Sequence, residues 1–217
     1  MEASWNRAID YATIKHFGQK RIGGEPYITH PIAVADYLRS KGFGLDFQLA
    51  GLFHDLMEDT NATLREITDL SNFEVAEVVQ LLTKNKGINL ETYLDKISKN
   101  KMALIVKIAD RIHNLRQAKI ADLTFRQKYI AESMNYYFIP AILSPFYKDF
   151  REALDQLHNT ITEEFFCKGC KLWHHFDDGV VLFTKDNLPM CKASFAEYQK
   201  SFHEYEKFLT NDEENID

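Results

Sequence analysis

Apolar residues recur at three- and four-residue intervals from the start of the chain to about residue 165, and Gly, Pro, Asn or Ser divides the pattern into segments. The spacing predicts helices over 2–17, 30–41, 46–58, 63–70, 73–83, 90–99, 101–121, 124–139 and 146–165. Capping chemistry marks several starts. Thr63 with Glu66 and Ser71 with Glu74 have the separation of a capping box, and Pro31 suits the opening turn of a helix after His30. Arg21 to Tyr27, with two glycines and a proline, must be a loop. The period changes at Leu172: Leu-Trp-His-His-Phe and Val-Val-Leu-Phe-Thr flank Asp-Asp-Gly, which predicts a β-hairpin over 172–184. A last helix is expected over 193–209, ahead of an acidic tail. The expected fold class is mainly α, a helical bundle over 1–165. The C-terminal extension over 166–217, hairpin plus helix, is expected to pack on the same domain.

One predicted helix breaks the amphipathic rule. From Phe47 the residues are apolar almost all round until His54, Asp55, Glu58 and Asp59 enter. A helix of that kind is buried, and buried charges cost several kcal/mol unless they are paired, hydrogen-bonded or bound to a metal. His54 and Glu58 are four apart, Asp55 and Asp59 four apart, and Asp55 and Glu58 three apart, so the helical reading groups them at one corner. Adjacent His and Asp can offer a nitrogen and an oxygen to a cation, with the acids one turn later placed to work on water.

A second polar corner is predicted on 101–121. Ile105, Ile108, Ile112 and Leu115 form an apolar stripe, while Lys107, Asp110 and Asn114 project from the other side. That side also carries Ala103, Val106 and Ala121, so it is expected to line an interior pocket rather than face solvent. The third corner is His30, fixed by Pro31 and preceded by Glu25-Pro26-Tyr27. Singly, each corner has an ordinary reading: a capping histidine, a common dipeptide, a surface Asp110–Arg111 ion pair. Together they make a His, His-Asp, Asp set.

Composition narrows the class. At 217 residues, 45% hydrophobic and 27% charged, the chain can bury one sizeable core. No apolar run approaches the roughly 20 residues of a membrane helix and the N-terminus has no signal-like pattern, so a cytoplasmic protein without a membrane partner is expected. Three cysteines do not suggest a disulfide framework. The net charge of −6 argues against a nucleic-acid partner. Between Lys84 and Lys128, however, eleven Lys or Arg face four acids, a local +7 that leaves −13 elsewhere. That patch suits a small anionic ligand.

Three stretches carry a family resemblance: Arg21-Ile22-Gly23-Gly24-Glu25-Pro26-Tyr27-Ile28-Thr29-His30-Pro31, Ala50-Gly51-Leu52-Phe53-His54-Asp55-Leu56-Met57-Glu58-Asp59-Thr60 and Lys107-Ile108-Ala109-Asp110-Arg111-Ile112-His113-Asn114-Leu115-Arg116. In order and spacing they resemble successive motifs of the RelA/SpoT hydrolase domain, an HD-type fold, over about residues 5–150. Thr83-Lys84, and Glu132-Ser133 with Pro140, resemble further segments of it. With no synthetase-like domain after them, the resemblance is to the small alarmone hydrolases, which include the metazoan SpoT homologue. It implies a (p)ppGpp 3′-pyrophosphohydrolase with one manganese ion per chain held by His30, His54, Asp55 and Asp110. It implies that Glu58 and Asp59 activate the attacking water, that Arg21 packs on the guanine and that Asn114 contacts the nucleotide. The basic stretch adds Lys84, Lys86, Lys107 and Arg126 as candidates for phosphate neutralisation.

Two positions depart from the family: Ile22 stands where Lys is usual, and Gln117 where Thr is common. They leave open an HD phosphohydrolase for another nucleotide such as NADPH, and a non-catalytic nucleotide-binding module. The sequence does not fix the oligomeric state. Cys167-x-x-Cys170 with His174, His175 and Cys191 has the make-up of a zinc knuckle; alternatively the histidines alternate across a strand so that only one could face the cysteines, and Cys191 is simply buried.

Overall fold

The helical pattern of the first 158 residues is realised as a succession of short helices joined by tight turns. The computed structural model describes residues 2–161 and the segments 164–166, 173–175, 182–183 and 189–190. The chain divides into two units, Met1–Leu157 and His158–Asp217. In order the helices are α1 (Glu2–Lys15), α2 (Thr29–Ser40), α3 (Leu45–Phe53), α4 (Leu56–Asp59), α5 (Leu64–Leu70) and α6 (Phe73–Leu82). They continue as α7 (Leu90–Ser98), α8 (Lys101–Gln117), α9 (Leu123–Glu132), α10 (Phe138–Ile142) and α11 (Tyr147–His158). None of the described helices is long and apolar enough to cross a membrane.

The centre of the first unit is the group α2, α3 and α8, each packed on the other two, with α6 against α3 and α8. Ile105, Ile108, Ile112 and Leu115 are all buried along α8, as the stripe requires. Leu38 of α2, and Leu52 and Phe53 of α3, are buried as well. Thr63 caps α5 in a full capping box with Glu66. The box expected from Ser71 is not formed. Asn72 caps α6 instead, its side chain accepting from the Val75 N–H at 2.9 Å, while the Ser71 hydroxyl turns back to the Ile67 carbonyl.

Four further expectations are corrected, each for a local reason. The segment 46–58 is not one helix: α3 ends at Phe53 and a single turn, α4, follows His54 and Asp55. The His54 imidazole takes the Gly51 carbonyl at 2.7 Å, which replaces a backbone partner with a side chain at the helix end. The helix from Lys101 stops at Gln117 and runs into a 3-10 turn over Ala118–Ile120, because Asp122 already caps α9 through the Phe125 N–H at 2.8 Å. The segment 124–139 contains a π-helical turn over Ser133–Tyr137 and runs on through Pro140 in α10. Widening the helix just before Pro140 relieves the clash its ring would make with the carbonyl four residues back. The last segment is helical only to His158.

In the second unit β1 (Glu164–Phe166) pairs antiparallel with β2 (Trp173–His175), and β3 (Leu182–Phe183) with β4 (Pro189–Met190). Among the described residues, the parts of the two expected strands at 172–176 and 180–184 that are extended pair with other partners, so the predicted 172–184 hairpin is not supported. The helix expected over 193–209 and the three cysteines lie outside the described residues.

Gly51 sets how closely α3 approaches α2. A Cβ there would stand 2.8 Å from Leu38 Cδ1 and 3.3 Å from Val34 Cγ1. Gly51→Ala is expected to destabilise the protein by about 1–3 kcal/mol, the usual cost of overpacking a dense core. Urea denaturation checks this as a lower midpoint at unchanged slope. A wild-type midpoint would show that Leu38 yields without cost.

Candidate functional site

Three elements deliver the candidate ligands to one point. The first turn of α2 carries His30, the break between α3 and α4 carries His54 and Asp55, and the middle of α8 carries Asp110. His30, His54 and Asp110 are buried, at 1%, 2% and 5% exposure. Their donor atoms converge: the two Nε2 atoms are 3.2 Å apart, and Asp110 Oδ1 lies 3.1 Å from His30 Nε2 and 3.6 Å from His54 Nε2. Asp55 Oδ2 stands 3.0 Å from His54 Nε2 and 3.6 Å from His30 Nε2. His30, His54 and Asp110 each offer a ligand atom to one shared centre.

Proton bookkeeping on His54 fits a cation at that centre. The Gly51 carbonyl can only accept, so His54 Nδ1 carries the hydrogen of that 2.7 Å contact and Nε2 is the nitrogen turned to the carboxylates, free to give its lone pair to a cation once a cation replaces the proton there. Charge fits as well. Burial pushes the His54 imidazole down, but Asp55 and Asp110 outweigh it and push it up to about 10. At His30 burial dominates and holds the group below its ordinary value. Burial would raise Asp110, yet Lys107, His30 and His54 hold it well below the usual carboxylate range, and His54 does the same for Asp55. A site that raises one buried imidazole so far is one that attracts a positive ion. Mixed nitrogen and oxygen donors suit a borderline divalent metal.

A ring of hydrogen bonds holds the ligands in place. The Tyr27 hydroxyl donates to Asp55 Oδ2 at 2.7 Å. Asn114 Nδ2 donates to Asp110 Oδ1 at 2.5 Å, and the Arg21 guanidinium donates to Asn114 Oδ1 at 2.6 Å. Lys107 pairs with Asp110 Oδ2 at 2.9 Å. His30 Nδ1 lies 2.7 Å from Nδ1 of His113, whose imidazole is lowered to about 4 by burial and by its neighbours His30 and Arg21. Beyond the ligands, Glu58 is exposed and its Oε2 accepts the Lys84 backbone N–H at 2.9 Å, which ties α4 to the end of α6. Gln19 donates to the Asp59 carbonyl at 2.8 Å.

Beside this centre opens a pocket of about 360 Å³, lined by Lys20, Arg21, Tyr27, Asn114, Phe125 and Tyr129 among others. The volume is in the range of small-molecule sites. One wall is a small hairpin: Lys20 bridges Pro26, Arg21 N–H donates to the Glu25 carbonyl at 2.9 Å, and Gly24 turns the chain with φ of 90°. Without a Cβ, Gly24 takes that conformation at no steric cost. The opposite wall holds Phe125 stacked on Tyr129 at 5.3 Å between ring centroids.

Besides Glu58 and Asp59, both exposed, the residues singled out from the sequence fall into three groups. His30, His54 and Asp110 share one centre, with Asp55 beside it against His54. Arg21 and Asn114 line the pocket and touch each other. The basic candidates are scattered: Lys107 is committed to Asp110, Lys84 engages Glu58 through its backbone, Lys86 is exposed on the loop before α7, and Arg126 is half-buried on α9. Sequence reasoning missed Tyr27, His113 and Lys20. Tyr27 and His113 each lie three residues from a singled-out ligand, at the spacing of one helical turn, and Lys20 sits beside Arg21.

The protein-family model for the HD domain matches residues 8–140, a span containing every one of these ligand candidates. The chain belongs to the HD-domain family. This HD-domain chain is 36% identical over 167 residues to the GTP pyrophosphokinase rsh of Brucella ovis, covering 72% of this chain and 22% of that protein. It is 35% identical over 142 residues to the guanosine-3′,5′-bis(diphosphate) 3′-pyrophosphohydrolase of Spiroplasma citri, covering 60% of this chain and 19% of that protein. The HD-domain chain thus spans about a fifth of the length of these curated relatives. Among solved structures, a metazoan SpoT orthologue described as hydrolysing ppGpp shares the fold, with a TM-score of 0.61 at 23% identity over 72% of this chain and 94% of that one.

If this HD centre holds a divalent cation, the cation stabilises the folded state alone. Manganese at a hundred times its dissociation constant adds about 2.7 kcal/mol, a rise in melting temperature of roughly 5–10 °C for a chain of this size. His54→Ala should abolish that rise, as read by thermal denaturation with and without metal. An equal rise in the variant would mean that the ion binds elsewhere.

Proposed function

We propose that the protein is a manganese-dependent (p)ppGpp 3′-pyrophosphohydrolase, which turns guanosine tetra- or pentaphosphate into GDP or GTP and pyrophosphate. One observation carries the reading: Tyr27 and Asn114 line the pocket and also hydrogen-bond Asp55 and Asp110, so nucleotide pocket and metal ligands share walls. The relatives named for this reaction support the substrate.

His30, His54, Asp55 and Asp110 are the ligand set in this reading. Manganese bound there supplies a Lewis acid for a phosphoryl oxygen and makes water more acidic. Glu58 is the proton acceptor: the Lys84 N–H fixes one carboxylate oxygen, the other takes the proton as water adds to phosphorus, and as the bond to the 3′ oxygen breaks that proton passes to the departing 3′ oxygen, leaving the 3′-hydroxyl and pyrophosphate. Asp59, held through its carbonyl by Gln19, keeps the turn in register. Arg21, poised 5.5 Å above the Tyr27 ring, offers its guanidinium face to a base. Lys20 and Arg21 bring positive charge to the pocket, with Lys84, Lys86 and Arg126 at greater remove in the basic stretch.

A second reading, hydrolysis of another phosphorylated nucleotide such as NADPH, is favoured by Ile22. It lines the pocket at 61% exposure where the family usually has a lysine. Incubating the purified protein and manganese with ppGpp, pppGpp, NADPH and dNTPs, and separating the products by anion exchange, decides between the readings. The alarmone reading expects pyrophosphate and GDP or GTP, and equal turnover of adenosine and guanosine substrates would overturn it.

Glu58→Ala is expected to lose on the order of a hundredfold to ten-thousandfold in rate while still binding metal and nucleotide. Metal analysis, calorimetric titration with ppGpp and a rate assay on one preparation test this, and near-wild-type turnover would remove Glu58 from the mechanism. Arg21→Ala should raise KM for a guanosine substrate more than it lowers kcat, as steady-state kinetics would read. A change confined to kcat would mean that Arg21 acts on the chemistry instead.

A further inference from the structure

His113 is a half-buried histidine on α8 with no part in the mechanism above. Its Nδ1 meets Nδ1 of His30 at 2.7 Å, with the two rings 4.7 Å apart between centroids and inclined at 45°. At that separation one nitrogen must donate and the other accept, since two lone pairs or two N–H groups would repel. The other nitrogen of His30, Nε2, faces His54 Nε2 and Asp110 Oδ1. When His30 Nε2 gives its lone pair to a cation, the single proton of the neutral ring must sit on Nδ1. His30 then donates, and His113 accepts through Nδ1 with its own proton on Nε2.

We infer that His113 is a positioning residue for the metal centre: it accepts the His30 Nδ1 hydrogen, fixing the tautomer and ring plane in which His30 Nε2 can bind a divalent cation. The inference rests on the metal-ligand reading of His30, His54, Asp55 and Asp110. Each of the two histidine ligands then has its own acceptor on Nδ1, the Gly51 carbonyl for His54 and His113 for His30. The supports differ in kind. A backbone carbonyl survives any substitution, whereas an imidazole acceptor can be removed by changing one side chain. It also places three tasks on one stretch of α8: Asp110 is a ligand, Asn114 at the fourth position donates to Asp110, and His113 at the third orients His30.

The test is manganese affinity, read by electron paramagnetic resonance titration of the full chain, for wild type, His113→Asn and His113→Leu. Asn places an amide oxygen near the position of the histidine Nδ1 and can accept the same hydrogen, while Leu fills similar space with no acceptor. Loss of a hydrogen-bond partner behind a ligand typically weakens metal binding about 10- to 100-fold. We expect that loss in His113→Leu and near-wild-type affinity in His113→Asn, with the melting temperature of the metal-free protein similar in all three. Wild-type affinity in His113→Leu overturns the positioning role and leaves the metal centre standing. A raised KM for nucleotide at unchanged metal affinity overturns it too, making His113 a substrate contact. Absence of manganese binding in the wild type defeats the metal reading itself, a different result. Should His113→Leu fail to fold by circular dichroism, His113→Ala carries the same comparison.

Discussion

Each of two buried imidazoles has its Nε2 3.0–3.6 Å from the carboxylates of Asp55 and Asp110 at the centre of a helical core, and the surrounding architecture follows from making that tolerable. Buried negative charge without a counter-charge would cost several kcal/mol. The structure answers in layers. Lys107 takes one oxygen of Asp110, Asn114 and Tyr27 donate to the carboxylates, and the outward nitrogens of both histidines find partners. What remains is a small, electronegative centre shaped for one cation. The close approach of α2 and α3 across Gly51 brings the two histidines together and makes the crowding unavoidable.

Much of the helical organisation is legible in the sequence because period, caps and breakers agree. The stripe on α8 and the capping box at Thr63 are local signals, and both were realised. The failures are places where a side chain or a neighbour competes with the backbone rule. Leu56 and Met57 resume the apolar pattern after His54-Asp55, so periodicity has no reason to stop at Phe53. The interruption comes from the His54 imidazole claiming the Gly51 carbonyl, a contact that depends on where the ring is pulled. The π turn at 133–137 answers to Pro140 several residues later, beyond the reach of a capping rule. In the second unit the sequence shows β2 and β3 as extended but neither of their partners: β1 overlaps the end of the helix expected over 146–165, and β4 had no strand expected, because pairing depends on chain reversal elsewhere.

The ligand candidates were visible for a different reason. Polar residues on otherwise apolar surfaces demand an explanation, and three such intrusions at His30, His54-Asp55 and Asp110 share one. The supporting shell was not visible, since Tyr27 and His113 look like ordinary members of a loop and a helix until their partners are located. Counting positive charge was a poorer guide. The excess between Lys84 and Lys128 is real, but Lys107 spends its charge on Asp110 and Lys84 contributes its backbone to Glu58. Lys20, outside that stretch, is the lysine that lines the pocket.

Arg111 shows how the metal centre and the pocket are held to one frame. Next to Asp110 in sequence, it reads as half of a surface ion pair, yet it is buried and points away from the ligands. Its guanidinium donates to the Ser133 hydroxyl, the Tyr129 carbonyl and Glu132, and lies 3.7 Å and 4.1 Å from the Tyr129 and Tyr137 ring centroids. The fork geometry of arginine suits this, since it satisfies several acceptors at once while its faces stack on aromatic rings. Tyr129 is also a wall of the pocket. Adjacent residues on α8 therefore face two jobs: Asp110 joins the candidate metal centre, and Arg111 clamps α9 and the π turn to the helix that carries it. A ligand and a pocket wall fixed to the same turn of helix cannot drift apart, which is the condition for holding a phosphate against a cation at a constant distance.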